Sequence, residues 1–579
     1  MREHLEILVR TALAAAAQRT GVAELADLDP GLERTRDPRH GDFASNVAMR
    51  ATRLAGKPPR ELAQAIIECL PEDAMLAGTE IAGPGFINFR LASEAWFATV
   101  REIMDRGTDY GTVPAGSRGR VLVEYVSANP TGPLHVGHGR HAAYGATLSA
   151  ILRAAGYSVD EEYYINDAGR QMDILATSVW LRYAEHHDAL QHFPDNCYQG
   201  EYVSEIAEEL AAHHGADFLG DVELIRAVIA SFGDDGEKNL DALIAGLREM
   251  LGTERFSAVL DAALEEILGD IRDDLAEFGV TPSQWFSEKS LTEGGDVDRG
   301  IELLRDKGFL YEQDGPTWFR TTDFGDDKDR VVVRENGVTT YFASDVAYHI
   351  NKFERGYDHL INVMGSDHHG YVTRVKAAVE AAGNDPERLE FRLMQFVVLF
   401  RGTEKVQMTT RGGTFVTLRE LRSEVGNDAA RFFYVSRSND QHLDFDLDLA
   451  KEQTSDNPVY YIQYAHARVA SVLERLEGNP AAIGDVDLTR LGEEAEVSLM
   501  RALSRYPEIV ELAASGRAPQ HLVHYLRELA AEFHAYYNSH RVLIDDVALR
   551  DARIALAMAT RQVIRNGLGL LGVSAPDSM

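Results

Sequence analysis

Val121-Leu122-Val123-Glu124-Tyr125-Val126 is an apolar run carrying a single acid, and Ser127-Ala128-Asn129-Pro130-Thr131-Gly132-Pro133-Leu134-His135-Val136-Gly137-His138 follows it directly. The run has the length and composition of a buried strand. The Pro- and Gly-rich bridge ends it in a loop. From His141 to Ala155 the apolar residues return at helical spacing. The stretch therefore reads strand, loop, helix, with two histidines where the helix begins. A helix N-terminus carries unpaired N–H groups and the positive end of the dipole, so it accepts phosphate. Residues three apart share a helix face, and His135 and His138 can reach one anion. The chemistry implied is the holding of a nucleoside triphosphate and the stabilising of charge as one phosphate is attacked. A lone histidine at a helix start is more often a cap or a surface residue. The position between strand and helix is the context that raises this pair above it.

Length and composition bound the rest. A chain of 579 residues implies three or four domains. Its 45% hydrophobic and 26% charged content is that of a soluble globular protein. The opening Met1-Arg2-Glu3-His4-Leu5-Glu6-Ile7-Leu8 alternates charge with apolar residues, as an amphipathic helix does and a signal peptide does not. No apolar stretch is long enough for a bilayer, and a cytoplasmic location is expected. Cys69 and Cys197 lie far apart, in no zinc or disulfide spacing. The net charge of −34 argues against a nucleic-acid partner as a global sum, but contact depends on local patches.

Working outward, residues 1–112 read as a small mixed domain. Met1–Gln18 is one helix, Glu61–Leu70 follows the Pro58-Pro59 start signal, and Ile81–Leu91 is strand, turn, strand. Arg34, Arg36, Arg39, Arg50, Arg53, Lys57 and Arg60 gather here, an RNA-facing patch or a solvated face. Gly107–Gly119 is a turn-rich linker. Residues 113–450 alternate strands and helices, which implies a parallel sheet. The alternation stops over about 180–291, a strongly acidic helical stretch with no strand, read as an insertion between two halves of a nucleotide-binding sheet. Arg330–Arg334 with Asn336-Gly337 reads as a hairpin arm and turn, and His359–Gly365 and Leu393–Phe400 as buried strands. Residues 451–579 are helical almost throughout, with Arg541, Arg550, Arg553, Arg561 and Arg565 in the last helices.

Four segments in order now support a resemblance. Glu124 to Arg140, containing His135-Val136-Gly137-His138, resembles the HIGH region of class I aminoacyl-tRNA synthetases. Gln407-Met408-Thr409-Thr410-Arg411-Gly412-Gly413-Thr414 to Leu418 resembles their KMSKS loop. His40 to Met49 and Asn457 to Arg468 are similar to flanking segments of one member family, the arginyl-tRNA synthetases. The resemblance spans essentially the whole chain. It implies an α/β Rossmann-type catalytic domain with a helical insertion, a small α+β N-terminal tRNA-contacting domain and an all-α C-terminal helical bundle that reads the anticodon. The activity implied is ligation of L-arginine to its tRNA through an arginyl-adenylate. ATP with Mg2+ is the substrate complex, with no structural zinc and no membrane, in a monomer.

Site residues carry over by position. ATP is expected at His135, Gly137, His138, Gly365, Asp367, His368, Met408, Thr409 and Thr410. Arginine is expected at Glu124 and Asn129 for the α-ammonium and at Tyr341 and Asp345 for the guanidinium. The last two lie four apart on one helix face, and a carboxylate suits the planar fork. Without the resemblance, Tyr341 and Asp345 would read as a core tyrosine beside a surface acid. A buried Glu124 needs a cationic partner, which the ligand would supply. For tRNA, Asn46 is expected in the N-terminal domain, and Tyr460, Tyr464, Arg468 and Arg541 in the bundle, where core packing is the plainer reading of the tyrosines.

The family pattern is broken at its phosphate-binding lysines. Thr410 stands where the loop lysine is usual, and Gln407 replaces the first lysine. Relatives without the loop lysine supply one three residues past the Asn129 position, which here is Gly132. Arg411, Lys405 and Arg140 are the candidate replacements, with Arg411 preferred as the catalytic cation beside His135 and His138. The departure also leaves two other readings: a synthetase-like paralogue that binds without activating arginine, and another HxGH nucleotidyltransferase.

Overall fold

A computed structural model describes residues 1–35, 37–406, 416–476 and 486–579. The chain opens with α1 (Arg2–Thr20), which packs beside a four-stranded antiparallel sheet of β1 (Leu32–Arg34), β2 (Phe43–Ser45), β3 (Leu76–Ala82) and β4 (Phe86–Leu91), in order β1-β2-β4-β3. Helices α2 (Val47–Ala55) and α3 (Pro59–Ile67) complete this unit, whereas α4 (Ser93–Arg106) packs against helices near the end of the chain. Pro59 stands in the first turn of α3, where its missing N–H costs nothing.

The central sheet is built from β5 (Arg120–Glu124), followed by α5 (Val136–Ala154), and β6 (Ser158–Ile165). Then come four helices: α6 (Arg170–His186), α7 (Glu201–His214), α8 (Val222–Ala230) and α9 (Gly236–Glu277), the last broken at Gly252. β7 (Gln284–Ser287) returns to the sheet edge, beside β6. It corrects the reading of 180–291 as strand-free: four residues are too few for alternation to register. Trp285 of β7 stacks on Tyr163 at 4.4 Å between ring centroids. α10 (Glu288–Glu293) and α11 (Asp296–Asp306) lead to a small antiparallel sheet of β8 (Leu310–Glu312), β9 (Thr317–Phe319) and β10 (Arg330–Val333). Asn336-Gly337 forms the expected turn, with the Arg334 N–H donating to Val338 O at 2.9 Å and Gly337 at φ 78°. The main partner of β10, however, is β9.

α12 (Tyr341–Glu354), β11 (His359–Gly365), α13 (His369–Ala381) and β12 (Leu389–Met394) finish the sheet in the order β12-β11-β5-β6-β7, all parallel. The chain runs outward from β5 in one direction and returns to β11 on its other side. Ligands bind at such a switch point, outside the carboxyl ends of the strands. Here those ends are Glu124 and Gly365. Leu393–Phe400 is not one strand: after Met394 the chain leaves the sheet, and Gln395 turns its carbonyl to Arg140. β13 (Val397–Arg401) joins β14 (Glu404–Lys405) and β15 (Leu443–Asp446) instead. α14 (Leu418–Val425), α15 (Asn427–Val435) and α16 (Leu447–Lys451) surround them. The remainder is helical: α17 (Pro458–Glu474), α18 (Glu494–Ser504), α19 (Tyr506–Ser515), α20 (Gln520–Ser539) and α21 (Val547–Leu571).

Arg34 is not part of an RNA-facing patch. It makes a bidentate pair with Glu508 of α19 and donates to Ser504 O, sealing the first unit to the helical bundle. No helix among the described residues is long and apolar enough to cross a membrane.

Candidate active site

His135 is the N-cap of α5, and it caps in an unusual way. Its Nδ1 accepts from the Gly137 and His138 N–H groups at 3.0 and 3.3 Å, while its own N–H donates to His138 Nδ1 at 3.3 Å. The two rings stack with centroids 3.6 Å apart. Burial holds His135 below the ordinary histidine range and His138 well below it. Both are therefore neutral at pH 7. A neutral imidazole whose Nδ1 accepts carries its proton on Nε2. The backbone of α5 thus sets both histidines as Nε2–H donors, and the capping role and the donor role coincide.

These histidines line a cavity of about 460 Å³ together with Glu124, Asn129, Gly137, Gly365, Asp367 and His368. Eight of the expected positions thus meet in one place. His141 and Phe396 line it too and were not expected. His141 repeats the three-residue step from 135 and 138, which was the available signal. Burial pushes its imidazole down to about 4. Phe396 is 61% exposed, so it offers an uncovered ring at the cavity wall. The loop that leads in is strained: Val126 and Ser127 have φ of 66° and 41°. A β-branched residue with positive φ is a true outlier, and such strain gathers at functional sites. It is held by the Ser127 hydroxyl, which donates to Glu124 Oε1 at 3.0 Å and accepts from the Tyr164 N–H at 3.1 Å.

Met408, Thr409, Thr410 and Arg411 lie outside the described residues. The far end of their loop is described, and it joins the histidine stretch. The Val136 N–H donates to Val416 O and the Leu418 N–H to Leu134 O. Thr417 and Glu420 then form a capping box that starts α14.

Glu124 is buried, and its cationic partner belongs to the protein rather than to a ligand. Lys352 of α12, fully buried, donates to Glu124 Oε2 and to Asn362 Oδ1. Asn129 is exposed and accepts from Asn166 Nδ2 at 3.1 Å. Tyr341 and Asp345 stand one turn apart on α12. Tyr341 is 50% exposed, and its hydroxyl accepts from the Arg170 N–H. Burial raises the Asp345 carboxyl to about 7, against the pull of the Tyr371 hydroxyl, with Glu288 adding to the rise. Glu288 was missed by sequence reasoning: an acid in the first turn of a short helix looks like ordinary dipole compensation. It is only 5% exposed, its carboxylate takes hydrogen bonds from Ser344 and Tyr164, and burial raises its pKa. Asp345 and Glu288 are a neighbouring pair of acids, and neither they nor Tyr341 line the cavity that holds the histidines.

Two of the three candidate cations are placed. Arg140 is fully buried and spends its guanidinium on three carbonyls, Gln395 and Gln441 at 2.7 and 2.9 Å and Ser438 at 2.9 Å. It is a brace, not a phosphate ligand. Lys405 is exposed on β14. At Gly132 a Cβ would meet the Tyr202 ring at 3.0 Å, so α7 fills the space a side chain there would need.

In the bundle, Tyr460 and Tyr464 stack at 6.1 Å, and Arg468 lies over Tyr464 and Tyr537 at 4.4 and 5.1 Å. Tyr464 is 37% exposed, whereas Tyr536 is core. Arg541 is exposed, but Arg553 is buried against Glu496. Asn46 is the N-cap of α2 without a side-chain cap bond. Among the described residues no group of three His, Cys, Asp or Glu could hold a metal ion.

Comparison with known proteins agrees with this architecture. Residues 99–213 and 284–464 match the family described as tRNA synthetases class I (R), catalytic domain. Residues 4–91 match the arginyl tRNA synthetase N terminal domain and 462–579 the DALR anticodon binding domain. The chain is 54% identical to an arginine–tRNA ligase of Thioalkalivibrio sulfidiphilus and 53% identical to one of Halorhodospira halophila, each covering 100% of both chains. Its fold is similar to Thermus thermophilus arginyl-tRNA synthetase, with TM-score 0.72 at 23% identity over 100% of both chains. The chain belongs to the arginyl-tRNA synthetase family of the class I aminoacyl-tRNA synthetases.

Proposed function

We infer that this enzyme joins L-arginine to its cognate tRNA in two steps. A carboxylate oxygen of arginine attacks the ATP α-phosphorus, and the bond to pyrophosphate breaks. A ribose hydroxyl at the tRNA terminus then attacks the arginyl carbonyl, and AMP leaves. The observation that carries this reading is the pair of Nε2–H donors in one cavity with Glu124 and Asn129. Neutral donors fixed by the backbone stabilise developing phosphate charge without reorganising.

The roles follow the positions that match the family's motifs. His135 and His138 donate to phosphate, with Arg411 as the further catalytic cation. Gly137, Gly365, Asp367, His368, Met408, Thr409 and Thr410 hold ATP, which arrives with Mg2+. Glu124 and Asn129 take the α-ammonium. Tyr341, Asp345 and Glu288 take the guanidinium, whose five donors match a pair of acids and a hydroxyl. Asn46, Tyr460, Tyr464, Arg468 and Arg541 contact tRNA, residues 1–112 and 451–579 flanking the catalytic unit 113–450. The stack of exposed Tyr464 with half-buried Tyr460 and Arg468 supports this, since unstacked bases bind such faces. The enzyme acts as a cytoplasmic monomer.

Arginine-dependent pyrophosphate exchange, with and without tRNA, tests the reading. No exchange under either condition would overturn it. Arg411→Ala is expected to slow adenylate formation by a factor of about 10²–10³, the loss of one donor at developing charge. Unchanged exchange would remove Arg411 from the mechanism.

A further inference from the structure

One stripe of α12 does more than present Tyr341 and Asp345. Tyr341, Asp345, Tyr348, His349 and Lys352 recur at helical spacing along one side of α12, where Tyr348, His349 and Lys352 are buried. Lys352 is the last of them and is fully buried. Its ammonium donates to Glu124 at the end of β5 and to Asn362 of β11 at 2.9 Å, and it lies 4.2 Å from the Tyr348 ring centroid. Asn362 in turn meets His349 Nε2 at 3.0 Å, and His349 Nδ1 meets the Asp345 carbonyl at 2.8 Å.

The directions of these bonds are determined. The Asp345 carbonyl can only accept, so His349 Nδ1 donates and its Nε2 accepts. Asn362 therefore turns its amide N–H to His349 and its oxygen to Lys352. Burial pushes the His349 imidazole down to about 3, which keeps it neutral as this pattern requires. Lys352 completes the chain by donating to Glu124. Tyr348 adds a lateral tie by donating to Glu162 at 2.6 Å, and Arg355 pairs with the same carboxylate. One continuous hydrogen-bonded path joins the backbone of Asp345 to the carboxylate of Glu124.

We propose that Lys352 is a positioning residue that fixes the separation between the guanidinium end and the α-ammonium end of the arginine site, and so selects the length of the amino acid side chain. The proposal rests on the placement of arginine between Glu124 and Asp345 given under Proposed function. A ligand held at both ends by charge is sensitive to span: one methylene more or fewer leaves one end unpaired. Rigid spacing is what makes that penalty selective, and a buried cation with two fixed acceptors supplies it.

The test compares wild type with Lys352→Met, Lys352→Arg and Asn362→Ala in tRNA-supplemented pyrophosphate exchange. It also measures inhibition by L-homoarginine, one methylene longer, and by the homologue one methylene shorter. Lys352→Met is expected to raise KM for arginine about tenfold or more while kcat and KM for ATP stay within about twofold. The preference for arginine over both homologues should shrink by a similar factor. Asn362→Ala, which keeps the charge pair, should move the preference in the same direction by less, and Lys352→Arg should restore part of it. An unchanged homologue preference, or an equal rise in KM for ATP, overturns the proposal. Should Lys352→Met fail to fold, the homologue preference of Asn362→Ala decides in the same way. A wild-type enzyme without exchange activity would sink the functional reading itself, which the variants cannot do.

Discussion

At the scale of single residues, the site is governed by which groups are charged before substrate arrives. Burial makes His135 and His138 neutral donors, while Asp345, raised to about 7 by burial with Glu288 beside it, is poised between its two forms. Only the ionised form pairs with a guanidinium. With a free-enzyme pKa near 7, kcat/KM for arginine should climb about tenfold per pH unit below 7 and flatten above it. The sign follows from the raised pKa: protonation of Asp345 competes with arginine, so affinity is lost as pH falls through the folded value. Arginine-dependent exchange from about pH 5.5 to 8.5, at saturating ATP and tRNA, measures this. A flat profile would show that Asp345 is ionised throughout. Asp345→Asn should be much weaker and should lose the dependence.

At the scale of elements, α5 is both a dipole and a strut. Arg140 in its first turns ties it to three carbonyls from the strand break at Gln395 and the Ser438–Gln441 loop. Arg140→Met would leave those acceptors without their donor inside the protein. It should cost about 3 kcal/mol or more of stability and lower adenylation through displacement of the histidines. Thermal unfolding read beside exchange activity separates brace from ligand: lost activity with an unchanged midpoint would return Arg140 to the phosphate. The same element shows what local sequence can reveal. The apolar run, the Pro/Gly bridge and the helical spacing after it are all local, and β5 and α5 lie where they predict. β7 is too short to show a period, and the break at Gln395 depends on an arginine far away in the chain. Lys352 meets Glu124 across 228 residues, a pairing that no spacing rule contains. The site was legible where its residues sit on one loop, and hidden where their partners come from other elements. Lys352 stands one turn after Tyr348 in a helix whose neighbouring positions Phe342, Val346, Ile350 and Phe353 are apolar and buried, yet the burial of its ammonium depends on acceptors from β5 and β11.

At the scale of the whole molecule, the enzyme must bind a polyanion while carrying a formal charge of −34. Exposed cations lie on the first unit, at Arg50, Arg53, Lys57 and Arg60, and on the bundle, at Arg541. Acids are spread over the whole surface, the first unit and the bundle included, and over the helices α7 to α9. Attraction and repulsion therefore act over different distances. Contacts to phosphate act within a few ångströms, whereas the excess negative charge acts as a long-range field. The screening length is about 30 Å at 0.01 M salt and about 10 Å at 0.1 M. Raising salt across that range removes the distant repulsion first and weakens the contacts less. A basic RNA-binding protein loses affinity steadily with salt through counterion release. Here the aminoacylation kcat/KM for tRNA should instead rise from low salt, pass through a maximum near about 0.1 M and only then fall. KM for arginine in exchange should move little, because Glu124 and Glu288, in the proposed arginine site, are buried. Charge reversal of exposed acids on α7 to α9 should shift the maximum to lower salt. A steady decline from the lowest salt, with no rise, would mean that the acidic surface is too far from the bound tRNA to be felt.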